Sequence, residues 1–200
     1  QLLDCNIEKF TQKLNPIYEA IRITRKKLHK NKSLICFIGA PWTLITYMLK
    51  VKNNREEIDH TKLYEKHIIK IILKELINYL CVHIKNQISA GADVIQIFDS
   101  WAGLTPIEDL EEYCFEPNAK LVEFCKREKI PNICFPKGIK EKYEDFNRFV
   151  KPDGINLDYQ VNPIWAKETL KDVVLQGGLN PKVLLESEGE ILKEATKYIK

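Results

Sequence analysis

The apolar positions of this chain follow two alternating patterns: short unbroken runs, and longer stretches in which apolar residues recur every three or four positions. The alternation repeats five times. The short runs predict strands at residues 34–38, 94–98, 132–135, 154–157 and 173–175, apolar on successive positions as strands covered on both faces are. Asn15 followed by Pro16 has the form of an N-cap and a first helical residue, predicting a helix to about residue 28 with Ile17, Ala20, Ile21 and Thr24 on one stripe. After a Gly39-Ala40-Pro41 turn, a short helix is expected at 43–49 and a polar loop at 51–60. A long helix follows at 63–88, its Ile68, Ile72, Leu76, Tyr79, Leu80 and His83 tracing one face until Ala90-Gly91-Ala92 closes it. Another helix starts at Pro106 and runs to about 126, with Pro117 expected to kink or split it. Helices at 140–149, 162–171 and from about 187 complete the pattern.

Five strands, each reached through a helix, imply repeated βα units and a parallel sheet, because parallel neighbours need crossover connections. The class is α/β, and two architectures compete. An open doubly wound sheet would carry a glycine-rich phosphate turn after its first strand; here that turn has one Gly, a Pro and the indole of Trp42. The unusual residues instead gather in the loops after the strands, where a (β/α)8 TIM barrel collects its functional groups. Such a barrel takes eight strands in about 250 residues, so this chain is expected to hold about five of the eight units in one partial domain spanning 1–200.

Composition narrows the partners more than the fold. With 44% apolar and 30% charged residues the chain is neither disordered nor collagen-like. Its net charge is +3 and the two signs are interspersed, which points to no nucleic-acid partner and no polybasic membrane arm. No apolar run approaches the ~20 residues of a membrane span, and the opening residues have neither secretory nor transit character. The first residue is Gln1 and not Met, so the chain is expected to be a piece or a trimmed product. Cys5, Cys36, Cys81, Cys114, Cys125 and Cys134 form no C-x-x-C pair and read as free thiols acting as small buried hydrophobes in a reducing compartment. His29, His60, His67 and His83 include no i, i+4 pair and read as residues of solvated helix faces, so no metal site is expected.

The loop segments carry a resemblance. FIGAPWTLITYM at 37–48, GADVIQIFDSWAG at 91–103, FPKG at 135–138, GINLDY at 154–159 and LQGGLNP at 175–181 stand in the order and approximate spacing of the uroporphyrinogen decarboxylase family. The likeness runs from about residue 18 to the end. It implies a TIM barrel, usually a homodimer with facing clefts, that works with no metal or organic cofactor. The activity implied is removal of carbon dioxide from the four acetate side chains of uroporphyrinogen, giving coproporphyrinogen in haem and chlorophyll synthesis. By the same resemblance Tyr47 of the TYM motif and Ser100 of FDSW donate hydrogen bonds to substrate carboxylates, and Trp42, Phe98 and Trp101 line or support the pocket. Asp99 and Asp158 stand at strand ends, where capping a loop or helix is their plainer role. Lys137-Gly138 has no upstream glycines and reads as a backbone need for Gly rather than a phosphate loop.

The chemistry is intelligible without the resemblance. Loss of carbon dioxide leaves a carbanion, and a pyrrole protonated beside the acetate can receive that electron pair, so neither pyridoxal nor thiamine is needed. The family's arginine-rich N-terminal segment, its aspartate facing the pyrrole nitrogens and its late histidine have no counterpart here, which leaves the catalytic residue unassigned. The family's glycine run after TYM is replaced by Leu49-Lys50-Val51-Lys52, and Asn180 replaces a carboxylate in LQGGLNP. Two other readings stay open: a cobalamin- or thiol-dependent methyltransferase of the same superfamily, which would need a His/Cys zinc site although no H-x-C occurs, and a non-catalytic tetrapyrrole-binding homologue. Family membership is compatible with the cytoplasm or, after removal of a transit segment, a plastid-type organelle.

Overall fold

The computed structural model describes residues 6–48 and 66–199. Its elements are α1 (Ile7–Lys27), β1 (Ile35–Gly39), α2 (Pro41–Met48), α3 (Lys66–Ala90), β2 (Val94–Asp99), α4 (Glu116–Arg127), β3 (Asn132–Pro136), α5 (Tyr143–Val150), β4 (Gly154–Leu157), α6 (Pro163–Thr169), β5 (Val174–Gly177) and α7 (Glu188–Ile199). The polar loop expected at 51–60, with His60 and the departure at Leu49-Lys50-Val51-Lys52, lies outside the described residues, as does Cys5.

All five strands pair in parallel in the order β1-β2-β3-β4-β5. A doubly wound sheet reverses its strand order at a switch point; a strictly sequential order is that of successive barrel units. The register assigns the two faces. Cys36, Ile38, Ile95, Ile97, Cys134, Ile155 and Leu157 share one face and are buried in the core under the helices. The opposite face carries Phe37, Gln96, Phe98, Phe135, Asn156 and Gln176. It is not covered on both sides as the unbroken apolar runs predict: Phe37 is 66% exposed and Val174 70%. In a barrel this is the inward face, which other strands enclose.

Three helices differ from expectation for identifiable reasons. The Asn6 carboxamide accepts the Glu8 N–H at 2.7 Å and starts α1 nine residues before Pro16. Pro16 then lies inside the helix on its solvent side, where the Gln12 carbonyl it deprives of a partner can be hydrated. The buried residues of α1 are Tyr18 and Ile21, while Ile17 is 45% exposed and Thr24 returns its hydroxyl to the Ala20 carbonyl. Along α3 the buried line is Ile69, Leu73, Leu76, Leu80, Ile84 and Gln87, rotated by about one residue from the expected one. Apolar residues at 68, 69, 71, 72 and 73 leave the stripe ambiguous, and packing against α1, α2 and α4 decides it. The split at Pro117 takes the form of a π-helical turn, Glu111–Phe115, leading directly into α4; widening the turn accommodates a residue that has no N–H and a ring bulky toward the preceding turn.

Four of the described cysteines, Cys36, Cys114, Cys125 and Cys134, are buried and free, and Cys81 is half-buried. His83 departs from the solvated role. Gln87 Nε2 donates to His83 Nε2 at 2.8 Å and to the Phe37 carbonyl at 3.2 Å, which leaves the ring proton on Nδ1, facing the Tyr18 hydroxyl at 3.0 Å. Burial lowers the imidazole to about 4. At the N-terminal ends of the strands, Asp153 Oδ2 accepts both the backbone N–H and the amide of Asn132, and Asp153 N donates back to Asn132 Oδ1 at 3.3 Å. This clasp ties β3 to β4 at the end away from the functional loops.

Candidate active site

The loops leaving the C-terminal strand ends are laced into one rim by backbone hydrogen bonds. Ala40 N donates to Phe98 O at 2.9 Å, Lys137 N to Asp99 O at 3.1 Å, Gly103 N to Lys137 O at 2.8 Å, and Gly178 N to Leu157 O at 3.1 Å. Gly138 sits at φ +84° against Gly103, a conformation and an approach that both require glycine. Backbone geometry thus accounts for the Lys137-Gly138 step.

On this rim α2 begins directly at Pro41 and presents Tyr47 near its end, 58% exposed. The Tyr47 ring meets Trp101 edge-on, with centroids 6.1 Å apart and planes at 89°. Ser100, half-buried, precedes Trp101 in the turn after β2. Phe98 lies on the inward sheet face between two other rings, 5.7 Å from Phe37 and 6.0 Å from Phe135, both edge-to-face. Tyr47, Ser100, Trp101 and Phe98 therefore gather around the head of β2. Trp42 does not join them. It is 1% exposed and stacks on Tyr113 at 5.1 Å and 17°, so its place is in the helix layer beneath the rim.

Two buried carboxylates hold the rim. Asp158 Oδ2 accepts the Gly138 N–H and the Tyr143 hydroxyl, the latter at 3.0 Å, while Asp158 N donates to the Tyr143 oxygen at 3.2 Å; it caps a loop. Asp99, 1% exposed, instead bridges elements: Oδ1 accepts the Thr43 hydroxyl and Oδ2 the Asn118 amide, each at 2.9 Å. Burial pushes its carboxyl up to about 6, against the opposing pull of those hydrogen bonds. Asn118 and Tyr143 lie outside the motifs, and Thr43 lies within the first of them without a role of its own. The available signal for Asn118 was a polar residue on the buried side of a helix; for Thr43 it was a hydroxyl one turn before Tyr47.

Asn180 caps the 3-10 turn Pro181–Leu185 by accepting the Lys182 N–H at 3.0 Å. Among the described residues, no three His, Cys, Asp or Glu side chains converge to hold a metal ion, and no helix is long and apolar enough to cross a membrane.

Comparison with known proteins agrees with the rim motifs. The family model described as uroporphyrinogen decarboxylase (URO-D) matches residues 3–200. A protein of Orientia tsutsugamushi (strain Boryong) named uroporphyrinogen decarboxylase is 40% identical over 200 residues, covering 97% of this chain and 58% of that protein. One of Rickettsia bellii (strain RML369-C) with the same name is 39% identical over 193 residues, covering 91% of this chain and 54% of its own length. The chain thus spans a little over half the length of these curated relatives. A solved methyltransferase from Methanosarcina mazei superposes with a TM-score of 0.50 at 18% identity, over 92% of this chain and 64% of that one, a likeness of fold alone. From the family match across the chain, the identity to these relatives and the sequential parallel sheet, the chain belongs to the uroporphyrinogen decarboxylase family.

Proposed function

We propose that this chain is the middle and later part of a uroporphyrinogen decarboxylase barrel, and that the family-length protein removes carbon dioxide from the four acetate groups of uroporphyrinogen to give coproporphyrinogen in porphyrin and haem biosynthesis. The observation that carries this reading is the exposed Tyr47 packed edge-on to Trp101, next in the chain to Ser100, at the end of the strand that carries Phe98. A macrocycle bearing many carboxylates needs an apolar floor for its rings and hydroxyl donors at the edge for its anions, and hydrogen bonds to charged groups each contribute ~1.5–3 kcal/mol.

In the reaction the bond between the acetate methylene and its carboxyl carbon breaks, and carbon dioxide leaves. The electron pair flows into the protonated pyrrole and neutralises it. A proton then adds to the methylene to complete the methyl group, and the ring proton is released. Tyr47 and Ser100 hold substrate carboxylates in this scheme, Phe98 and Trp101 line the pocket, and Trp42 supports it from below. The acid and base groups come from the remainder of the barrel. A homodimer is the expected assembly, and a reducing compartment, the cytoplasm or a plastid-type organelle, suits the buried free thiols.

Anaerobic incubation of the family-length protein with uroporphyrinogen, without added metal or cofactor, is expected to yield coproporphyrinogen. Absence of product from well-folded protein overturns the proposal. Tight porphyrin binding without turnover would instead select the non-catalytic homologue.

A further inference from the structure

One carboxylate, outside the expected contacts, touches the elements that carry them. Asp99 precedes Ser100 in the chain and hydrogen-bonds the Thr43 hydroxyl and the Asn118 amide. Thr43 stands four residues before Tyr47, one helical turn along the same face of α2. The same Thr43 oxygen receives the Trp101 backbone N–H at 3.4 Å. Asn118 Nδ2 also donates to the Cys114 carbonyl at 2.8 Å in the π-helical turn. Its own Oδ1 is buried with no hydrogen-bond partner among the described residues, a cost borne while the amide hydrogens stay on Asp99 and Cys114.

We infer that Asp99 is a positioning residue that, acting through Thr43, sets Tyr47 on α2 relative to the Ser100–Trp101 turn and so fixes the spacing of the two hydroxyls offered to the substrate. Both Asp99 oxygens are engaged and the residue is 1% exposed, so it acts through its neighbours and not on a ligand. The identity of that ligand rests on the proposed function; the interlock does not.

A carboxylate suits the task because its ionised form only accepts. Thr43 must then donate to Asp99, leaving its lone pairs for the Trp101 N–H. A protonated Asp99 can donate to Thr43 instead and compete with Trp101 for the same oxygen. Burial puts that change near pH 6. The other titratable groups facing Asp99 are the Cys114 and Cys134 thiols, both held well above their ordinary value by burial and neutral throughout this range. Thr43 and Asn118, presented by α2 and α4, do not titrate.

The test uses the family-length protein labelled with 5-fluorotryptophan, the Trp101 resonance being assigned with W101F. The Trp101 fluorine shift is expected to inflect near pH 6 in the wild type and in T43S, and to stay flat between pH 5 and 8 in D99N and T43V. In the decarboxylation assay, kcat/KM is expected to fall about tenfold or more in T43V, the effect of misplacing bound groups, and to stay within about twofold of wild type in T43S, which keeps the hydroxyl. A Trp101 resonance that titrates in D99N as in the wild type overturns the inference, as does a T43V variant with unchanged kcat/KM. A wild type that makes no product but shows the hydroxyl-dependent titration overturns the proposed activity and leaves the positioning role standing.

Discussion

Gly103 and Gly138 meet backbone to backbone across two loops of the rim: a Cβ added to Gly103 would lie 2.5 Å from the Gly138 carbonyl oxygen. The contact accompanies the Gly103 N–H bond to Lys137 O at 2.8 Å, so the loop carrying Ser100 and Trp101 is joined directly to the loop after β3. G103A is therefore expected to push the loops apart and cost ~1–3 kcal/mol of stability, the usual range for overpacking. At Gly189, where nothing lies within 4 Å of an added Cβ, G189A near the start of α7 is expected to raise stability by ~0.4–1 kcal/mol. Urea denaturation of the two variants beside the wild type separates these outcomes.

Asp99 is also expected to shape the dependence of stability on pH. Its folded-state value of about 6 lies above the ordinary 3.8, so the native state holds the proton more tightly than the unfolded chain does. The contribution is fully present below about pH 3.8 and is lost as pH rises through about 6. The gap corresponds to about 3 kcal/mol. The stability of the wild type relative to D99N should therefore fall by an amount of that order between pH 4 and pH 7, measured by urea denaturation at both values. A difference that stays constant with pH would show that Asp99 does not titrate in the fold.

His83 works in the opposite sense. Its imidazole is lowered from 6.5 to about 4 by burial between α1 and α3, so the native state binds its proton less tightly than the unfolded chain. Stability from this group is present above about 6.5 and is lost as pH falls through about 4. The His83 ring resonance in NMR is expected to hold its neutral position until below pH 5. An inflection of His83 near 6.5 would mean that the bonds to Tyr18 and Gln87 do not shield it.

The Asn132–Asp153 clasp belongs to the opposite end of the sheet, where stability and activity should separate. Asn132 is fully buried and its side chain exchanges hydrogen bonds with Asp153. N132A leaves polar groups without partners and is expected to cost ~1–3 kcal/mol. At a temperature where the variant is still folded, its KM should match the wild type, because no rim loop depends on the pair. A raised KM would connect this end to the substrate site.

The elements were largely legible because local patterning decides them. The strand 154–157 is found as expected, and the others differ by one or two residues at an end, where hydrogen bonding and not hydrophobicity sets the limit. The helix faces were less legible. Five apolar residues among positions 68–73 of α3 allow more than one stripe, and only the packed neighbours choose. Least legible were the interlocks between distant positions: Thr43 with Asp99, 56 residues apart, and Tyr18 with His83, 65 apart. Their side chains give no periodic signal; the first pairing exists only once α2 packs over the end of β2, and the second only once α1 packs on α3. The motifs located the rim at Tyr47, Ser100 and Trp101, but Trp42 has the same aromatic character and is turned inward by its stacking on Tyr113.

Tyr47 offers the sharpest separation of binding from folding. More than half of its surface is exposed, and its ring meets the edge of Trp101. Y47F keeps that edge contact and deletes one hydroxyl, so stability should change by less than about 0.5 kcal/mol, as at ordinary surface positions. If the hydroxyl donates to a substrate carboxylate, losing a hydrogen bond to a charged group removes ~1.5–3 kcal/mol, which lowers kcat/KM by about 10- to 150-fold. A loss confined to KM means the carboxylate is held equally in the ground and transition states, marking Tyr47 as an anchor for a spectator group; a loss in kcat places it on the acetate that reacts. Y47A, which also removes the ring facing Trp101, should add a further loss through the rim geometry. Y47F with unchanged kcat/KM would remove Tyr47 from the substrate contacts altogether.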